Sequence, residues 1–299
     1  MKTNRSDRIF DTINDVLLFA FTLVMLYPLY FIVVASISEP SAVVKGHVMV
    51  FPESLQLTAY KNVLKESSIW IGYRNTIVYT FLGTLYNLAL TIPAAYVLTK
   101  KELPGRYLLS WFFFITMYFG GGMVPTYLNI KNLGLLNTPW VLILGAGVNC
   151  WNLIITRQYF ASSVPTELYE SAYIDGASEF RTFFNIALPL AKPIIAVMAL
   201  YYGVGHWNSY YSALLYLRNS DLFPLQLVLR NILITNEMAL TAITIEGDVE
   251  AMATAAQKAY MAETMKYALI FIASFPLLCA YPFVQKYFVK GVMIGSVKG

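Results

Sequence analysis

Six apolar stretches alternate with polar segments along the chain, and each is a candidate for crossing a bilayer. A spanning helix needs about 20 mostly apolar residues, because the hydrocarbon core is about 30 Å thick. The predicted spans are Val16–Ile37, Asn75–Thr99, Tyr107–Tyr127, Pro139–Ile155, Leu190–Leu217 and Tyr267–Phe288. The fourth is the weakest, since it is short and interrupted by Gly145 and Gly147. The pattern therefore predicts an all-α, polytopic membrane protein with six transmembrane helices.

Composition supports a chain surrounded by lipid. Of the 299 residues, 58% are hydrophobic and only 13% are charged, whereas soluble domains carry about 25% charged residues. The net charge of +4 comes without a basic stripe or a base-stacking motif, so we expect no nucleic-acid partner. Cys150 and Cys279 both fall inside predicted spans, and we expect them to pack as free thiols.

Basic residues near the ends of the spans indicate the orientation, because loops rich in Lys and Arg stay in the cytoplasm. They form four groups: Lys2, Arg5 and Arg8; Lys100, Lys101 and Arg106; Arg157, Arg181 and Lys192; Lys286, Lys290 and Lys298. With six crossings, all four groups fall on one side. Both termini are then predicted to be cytoplasmic.

The whole chain, residues 1–299, is predicted to be a single transmembrane domain with two notable polar segments. An insert at about 158–189 lies between the fourth and fifth spans, on the predicted cytoplasmic side. A segment at about 218–265 lies outside, and it is either a connector or a contact surface for an external partner; its end, Glu250–Lys266, is predicted to be helical.

The insert has the pattern of two short helices joined by a turn. Pro165 suits the first turn of a helix, Asp175-Gly176 favours a turn, and Ser178 is suited to cap a second helix with Glu179 beside its positive end. One face of each helix is predicted to be apolar, with Leu168, Tyr169, Ala172 and Tyr173 on the first and Phe180, Phe183, Phe184 and Ala187 on the second. The small residues Ala172, Gly176 and Ala177 would let a partner surface approach closely. The insert is therefore predicted to be a docking surface.

These residues resemble the EAA motif of ABC importer permeases. Glu170-Ser171-Ala172, Asp175-Gly176-Ala177 and Ile186-Ala187-Leu188-Pro189 keep the spacing of that motif, and Ser171 replaces the alanine that the family often has. The chain most closely resembles the MalG-like permeases of the carbohydrate-uptake group, and its end, Lys290–Gly299, is similar to the tail of their oligosaccharide-transporting members. The resemblance covers the whole chain.

The resemblance implies a non-catalytic permease subunit of an importer for sugars or oligosaccharides, working by alternating access in the bacterial inner membrane. It implies three partners besides the sugar: a dimer of ATP-binding subunits that holds ATP and Mg²⁺, a second and different permease chain, and an extracytoplasmic solute-binding protein. The residues assigned to ATPase coupling are Glu167, Glu170, Ser171, Ala172, Asp175, Gly176, Ala177, Leu188 and Pro189. The tail residues Gly295, Ser296 and Lys298 are expected to reach towards the ATPase dimer.

The sequence shows no chemistry of its own for driving transport. It contains no Gly-x-x-x-x-Gly-Lys-Ser/Thr phosphate loop, no His-Glu-x-x-His and no Cys-x-x-Cys pattern, so we expect no cofactor, no metal and no catalytic residue in this chain. His206 lies in the fifth span, where an ionisable group is a functional candidate; as a lone histidine it is expected to hydrogen bond between helices.

Polar and aromatic residues within the spans are candidates for a sugar path, because they offer hydrogen bonds to hydroxyls and faces for stacking. The candidates are Trp207, Asn208, Tyr210 and Tyr211 in the fifth span, and Asn149 and Asn152 in the fourth span are weaker ones of the same kind. The alternative is interhelical contact with the second permease chain. There are two alternative functions. An ion-coupled secondary transporter is disfavoured because the predicted spans of this chain contain no Asp or Glu. A membrane enzyme is disfavoured because the sequence shows no paired catalytic groups.

Overall fold

The computed structural model describes residues 5–145, 147–243 and 249–296. In these ranges every regular element is a helix, and no strand occurs. The predicted all-α, polytopic fold is confirmed.

The N-terminal third contains four helices, two of them long. They are α1 (Arg5–Ser36), α2 (Pro40–Val44), α3 (Thr58–Lys65) and α4 (Ser67–Val97). Two segments are long and apolar enough to cross a membrane: Asp7–Ser36 in α1 and the whole of α4. They agree with the first two predicted spans. The apolar window of α1 is 0% buried, so its surface is free to face lipid or another chain.

The next four helices are shorter, and breaks separate them. They are α5 (Arg106–Tyr118), α6 (Met123–Asn132), α7 (Trp140–Leu144) and α8 (Cys150–Ser163). The third predicted span is the pair α5 and α6, which bends by 115° at the break between them. The fourth predicted span is divided into α7 and α8, because the helix stops after Leu144 and begins again at Cys150.

The remaining elements carry the insert and the last spans. They are α9 (Thr166–Ile174), α10 (Glu179–Thr182), a π-helical segment (Phe183–Ala187), α11 (Leu188–Leu190), α12 (Lys192–Trp207), α13 (Tyr211–Tyr216), a 3₁₀ turn (Ser220–Leu222), α14 (Leu225–Ile243) and α15 (Val249–Ser296). Glu179–Leu190 and α12 form a second bent pair, at 77°, and Tyr260–Pro282 within α15 is long and apolar enough to span.

Length and composition of the described helices account for three crossings, or five if each bent pair is one crossing. Six crossings were predicted, and the fourth predicted span, which is divided into α7 and α8, is not among these five. Residues 218–265, predicted as an outer loop, hold α14 and the beginning of α15 and are thus largely helical over their described part. The start of α15 at Val249 agrees with the helix predicted over Glu250–Lys266.

Backbone proximity separates the chain into two compact units: Met1–Ile69 with Leu229–Phe275, and Trp70–Val228 with Pro276–Gly299. In the first unit, the end of α1 and α2 bury a small apolar cluster. Phe31 meets Tyr267 edge-on at 5.7 Å between ring centroids, and Ser36 Oγ lies 2.7 Å from Tyr60 OH. The single domain over residues 1–299 stays a prediction.

The second unit holds the insert and most of the buried core. One cluster joins α4, α8, α12 and the insert through Tyr96, Leu153, Phe160, Phe183 and Met198. At the other end of α4, Asn75 Nδ2 donates to the backbone oxygens of Asp221 and Phe223 at 2.7 and 3.1 Å. The two ends of α4 are thereby tied to different parts of the unit.

Candidate functional site

The first half of the insert ends in a turn that glycine makes possible. The amide of Ala177 donates to the carbonyl oxygen of Ala172 at 2.9 Å, and the amide of Gly176 donates to the carbonyl oxygen of Tyr173 at 3.0 Å. These are the two bonds of a Schellman motif, which closes a helix with a left-handed residue. Gly176 is that residue, with φ +70° and open space where a side chain would start. The predicted turn at Asp175-Gly176 is confirmed.

The second half of the insert is not one regular helix. Ser178 caps α10 as predicted, accepting from the Arg181 amide at 3.4 Å, but α10 has only four residues and is followed by the π-helical segment. Pro189 begins the next turn without an amide hydrogen, so an α-helical bond to Asn185 O is missing there. A π segment beside such a gap changes which side chains share a face.

Most of the residues assigned to coupling lie on the surface of the insert. Exposed ones are Glu167, Glu170, Ser171, Asp175, Gly176 and Pro189, while Ala177 and Leu188 are half-buried. Ala172 is different, since only 5% of it is exposed. The expectation that Ala172 lets a partner approach is therefore wrong for this arrangement: its small size serves packing within the chain.

Large apolar side chains crowd the outside of the turn. Tyr173, Ile174 and Phe180 are 83%, 84% and 79% exposed, and we call these three residues the insert tip. The sequence pattern had placed Phe180 with Phe183 on one packed face; Phe183 is buried, but Phe180 and Phe184 are exposed. An apolar group of this kind with a polar rim marks an interaction surface.

A clasp that sequence reasoning missed holds the insert against the loop after α4. Lys100 Nζ lies 2.9 Å from Glu179 Oε2, and Tyr96 OH donates to the same oxygen at 3.1 Å. The ammonium also lies over the rings of Tyr96 and Tyr169, 4.7 and 4.6 Å from their centroids. Cation–π contacts of this length add to the ion pair. We call Lys100, Glu179, Tyr96 and Tyr169 the clasp.

Electrostatics of the clasp favour its charged form. The hydrogen bond from Lys100 is the main cause that holds the pKa of the Glu179 carboxyl below its usual value. Burial raises the pKa of the Tyr169 hydroxyl to about 12, so that group stays protonated. With Arg157 Nε donating to Leu98 O at 3.2 Å, two of the four predicted basic groups lie on the same side of the second unit.

Two helices lead from the insert to a cavity. The C-terminal end of α8 and the N-terminal end of α12 adjoin the insert, and their other ends reach the cavity. The helices have 14 and 16 residues, which corresponds to about 21 and about 24 Å at about 1.5 Å per residue. Buried Leu153, Phe160, Ile194 and Met198 join them through one cluster.

The cavity has a volume of about 530 Å³ and a hydrogen-bonded polar wall. His206 Nε2 bonds Asn87 Oδ1 at 2.7 Å, and Asn87 Nδ2 donates to Gly147 O at 2.7 Å. Tyr202 OH accepts from the Asn149 amide at 3.2 Å, and Asn149 Oδ1 accepts from Asn152 N as the cap of α8. The predicted interhelical hydrogen bond of His206 is confirmed, and its partner is on α4.

The predicted sugar-path residues do not gather in one place. Asn152 lines the cavity, as does Asn149. Trp207 instead faces Tyr73 at 6.4 Å between centroids and borders a separate apolar recess. Asn208, Tyr210 and Tyr211 are exposed and are not in the cavity lining. Their role in the path stays a prediction.

The remaining candidate residues belong to the C-terminal tail and to the two cysteines. Gly295 and Ser296 are in the last turn of α15, and Lys298 lies outside the described residues. Cys150 and Cys279 are free thiols, as expected, but the expected packing is not found, because Cys150 is half-buried and Cys279 is exposed. No cluster of three or more His, Cys, Asp or Glu that could hold a metal ion occurs in the described part of the chain.

Comparisons with known proteins give a consistent result. Residues 67–294 match the family described as binding-protein-dependent transport system inner membrane component. The chain is 40% identical over 299 residues to Protein LplC of Bacillus subtilis (strain 168), covering 100% of this chain and 98% of that protein. It is 37% identical over 293 residues to the polygalacturonan/rhamnogalacturonan transport system permease protein YtcP of the same strain, covering 98% and 99%.

A solved structure agrees in fold as well as in sequence. It is the crystal structure of a bacterial ABC transporter involved in the import of the acidic polysaccharide alginate, one chain of which has a TM-score of 0.82 and 35% identity to this chain. The similarity covers 96% of this chain and 99% of that one.

Proposed function

This chain belongs to the carbohydrate-uptake permeases among the inner membrane components of binding-protein-dependent transport systems, and from that premise we propose that it moves sugars or oligosaccharides through an ATP-driven importer. It is a multi-pass, non-catalytic transport subunit like its relatives. The ion-coupled secondary transporter is therefore set aside.

The partners in this proposal are a dimer of ATP-binding subunits, a second permease chain and an extracytoplasmic solute-binding protein. ATP and Mg²⁺ bind to the ATPase subunits. The proposal puts the insert and both termini in the cytoplasm. Support comes from the contact between Lys100 and Glu179, which joins two basic loops, since such loops stay on the cytoplasmic side.

The insert tip is the observation that carries the proposal. Three large apolar side chains, Tyr173, Ile174 and Phe180, are more than three-quarters exposed on a segment that is predicted to lie between two spans. Apolar side chains of this size at the centre of a polar rim are typical anchors of protein interfaces. Because the chain belongs to a family of ATP-driven importers, we expect this partner to be the ATPase subunit.

Movement of the insert would reach the rest of the chain through two connections. The clasp ties α10 to the loop after α4, and the buried cluster around Phe160 ties the insert to α8 and α12. ATP shifts the transporter between states only if the ATPase dimer binds it more tightly in one of them. Closure of that dimer would move the insert tip and, through both connections, the ends of α8 and α12 at the cavity.

Co-purification of the ATPase subunit tests the proposal. Ile174→Glu places a charge where an apolar anchor is expected, and its exposed position predicts little loss of folding. We expect the variant to lose the ATPase subunit and ATP-dependent sugar uptake. Ala161→Glu is the matched control, because Ala161 is exposed in the last turn of α8 and does not belong to the insert tip; it should keep both.

Two results would count against the proposal. One is an Ile174→Glu,Phe180→Glu double variant that retains the ATPase subunit and full uptake. The other is uptake that persists in vesicles without ATP, or that a collapsed ion gradient abolishes while ATP is present.

A further inference from the structure

Two interruptions of helices meet at the same cavity. One lies between α7 and α8, the other between α12 and α13, and Gly145, Asn149 and Ser209 from these breaks are in the lining. Backbone that is not helical survives at membrane depth only where protein covers it or where it borders a water-filled space. Both breaks therefore indicate a hydrated cavity within the transmembrane part of this chain.

Several polar groups in this cavity have no hydrogen-bond partner in the described part of the chain. Asn152 is only 7% exposed, yet its side-chain amide makes no hydrogen bond to another described residue, and only its backbone groups do. The hydroxyls of Ser209 and Ser212 in the lining are equally without a partner among the described residues. These groups border the open space of the cavity, so water or a ligand within it can complete their hydrogen bonding.

The rest of the lining defines the kind of ligand. Among the described residues that form it there is no Lys, Arg, Asp or Glu, so a fixed ionic partner for a charged group is missing. The rings of Tyr201 and Tyr216 supply aromatic surface beside the free amide and hydroxyls. The volume of about 530 Å³ is within the range of about 300–1,000 Å³ for small-molecule sites.

We propose that this chain itself carries a binding site for sugar-ring hydroxyls, in which Asn152, Ser209 and Ser212 are the hydrogen-bonding groups. The inference rests on the proposed function and adds where the cargo touches this subunit. It replaces most of the path expected from sequence, because Trp207 faces elsewhere and Asn208 is outside the lining. Recognition through hydroxyls without fixed charge holds the sugar loosely enough to let it pass on.

The test compares two asparagines that differ in position but not in chemistry. Asn152→Leu removes the amide inside the cavity, and Asn129→Leu removes one from an exposed position of α6 outside the lining. Both variants are assembled with the second permease, the ATPase subunits and the binding protein in proteoliposomes. The probes are radiolabelled maltotriose, cellotriose, xylotriose and raffinose as neutral sugars, and trigalacturonate as an acidic one.

We expect Asn152→Leu to lower the maximal ATP-dependent uptake of every transported probe about tenfold, the factor for the loss of about one hydrogen bond. Asn129→Leu should stay within about twofold of the wild type. Because the site contacts hydroxyls, the ratio of variant to wild type should be the same for an acidic and a neutral probe and insensitive to salt.

Each contrary outcome has a separate meaning. A wild-type complex that takes up none of the probes would overturn the proposed function and this inference with it. Equal uptake by Asn152→Leu and the wild type, or an equal loss in Asn129→Leu, would overturn the inference alone. Should Asn152→Leu fail to assemble, Ser212→Ala decides: about a threefold loss is expected, and no loss would overturn the site.

Discussion

The insert and the cavity lie at opposite ends of α8 and α12 and depart from the usual burial pattern in opposite ways. At the insert, Tyr173, Ile174 and Phe180 extend into water although they are large and apolar. At the cavity, Asn152 is only 7% exposed, and its side-chain amide borders the open space without a hydrogen-bond partner among the described residues. Exposed apolar side chains are unfavourable in water, and an amide without a protein partner depends on water or a ligand for its hydrogen bonds.

The comparison shows where function can be sought in a chain without catalytic groups. A surface that is too apolar indicates a protein partner, and an interior that is too polar indicates a small polar ligand. Between them, the buried cluster of Phe160, Leu153 and Met198 follows the ordinary rule and forms a mechanical connection. Substitutions in these regions should therefore separate stability from transport.

The largest effect on stability is expected inside the connection. Phe160→Ala empties a fully buried site next to Tyr96, whose ring centroid is 5.8 Å away, and should lower the free energy of unfolding by about 3–5 kcal/mol. Phe180→Ala deletes the same atoms at the insert tip and should change it by less than about 0.5 kcal/mol. Thermal unfolding of the purified chain in detergent measures the stability of the two variants. Similar losses in both would show that the insert tip is packed as tightly as the buried cluster.

A smaller effect is expected where α4 approaches the cavity wall. A methyl group added at Gly83 would overlap the ring of His206, so Gly83→Ala should destabilise by about 1–3 kcal/mol through overpacking. Gly203→Ala is the control, because its methyl group would meet Thr84 Oγ1 at an ordinary 3.7 Å. Melting temperatures of the assembled transporter check the difference. A harmless Gly83→Ala would mean that His206 does not need its place beside Asn87.

The turn of the insert should respond to backbone conformation alone. Gly176→Ala meets no atom within 4 Å but has φ +70°, so it should cost about 1 kcal/mol in left-handed strain. Gly176→Asn should cost less, because asparagine adopts that conformation more readily. Unfolding of the purified chain gives the order of the two. Equal stability of Gly176→Ala and the wild type would show that the Schellman turn is not needed.

The smallest effect is expected at the clasp, because the Glu179 side chain is 71% exposed and exposed ion pairs contribute less than about 1 kcal/mol. The folded protein lowers the pKa of Glu179 below its usual 4.5. The contribution is thus fully present above the usual value and lost as the pH falls through the folded-state value. The melting difference between the wild type and Glu179→Gln should be constant between about pH 6 and 8 and shrink only in acid.

A double-mutant cycle isolates the pair. Lys100→Met and Glu179→Gln should be less than additive when combined, since they remove the same interaction. Lys101→Met, exposed in the same loop, should combine additively with Glu179→Gln. Full additivity for Lys100→Met would show that the ion pair contributes nothing to stability, whatever its effect on uptake.

At the insert, the turn and the helix cap could be predicted from the sequence, but the contacts that hold the insert in place could not. The turn at Gly176 and the cap at Ser178 depend on a few neighbouring residues, and both were predicted correctly. Which phenylalanine is buried depends on a distant segment: Phe183 packs against Tyr96 at 5.0 Å between ring centroids, while Phe180 is exposed. The pairing of Lys100 with Glu179 could not be predicted, because the loop after α4 and the insert are distant in the chain.

The cavity shows the same division. Polar residues in apolar spans predicted a path, and two of them, Asn152 and the helix-bridging His206, line the cavity; a role of Asn152 in transport stays a prediction. Which of the neighbouring residues face the cavity depends on the rotation of α12, and packing of Trp207 against Tyr73 turns that side chain away. The π-helical segment and the broken fourth span depend likewise on tertiary contacts.

The amino-acid sequence by itself determined the membrane environment, the positions of the long spans, the turn of the insert and the resemblance to the permease family. Those properties depend on hydropathy summed over about 20 residues or on the conformations open to a few adjacent residues. Only the tertiary structure decided that apolar side chains leave the insert tip uncovered, that the clasp forms, and that an unpaired amide faces a cavity between broken helices. Each of these requires side chains from distant segments to meet in one place, and the packing energy that brings them together belongs to no single segment.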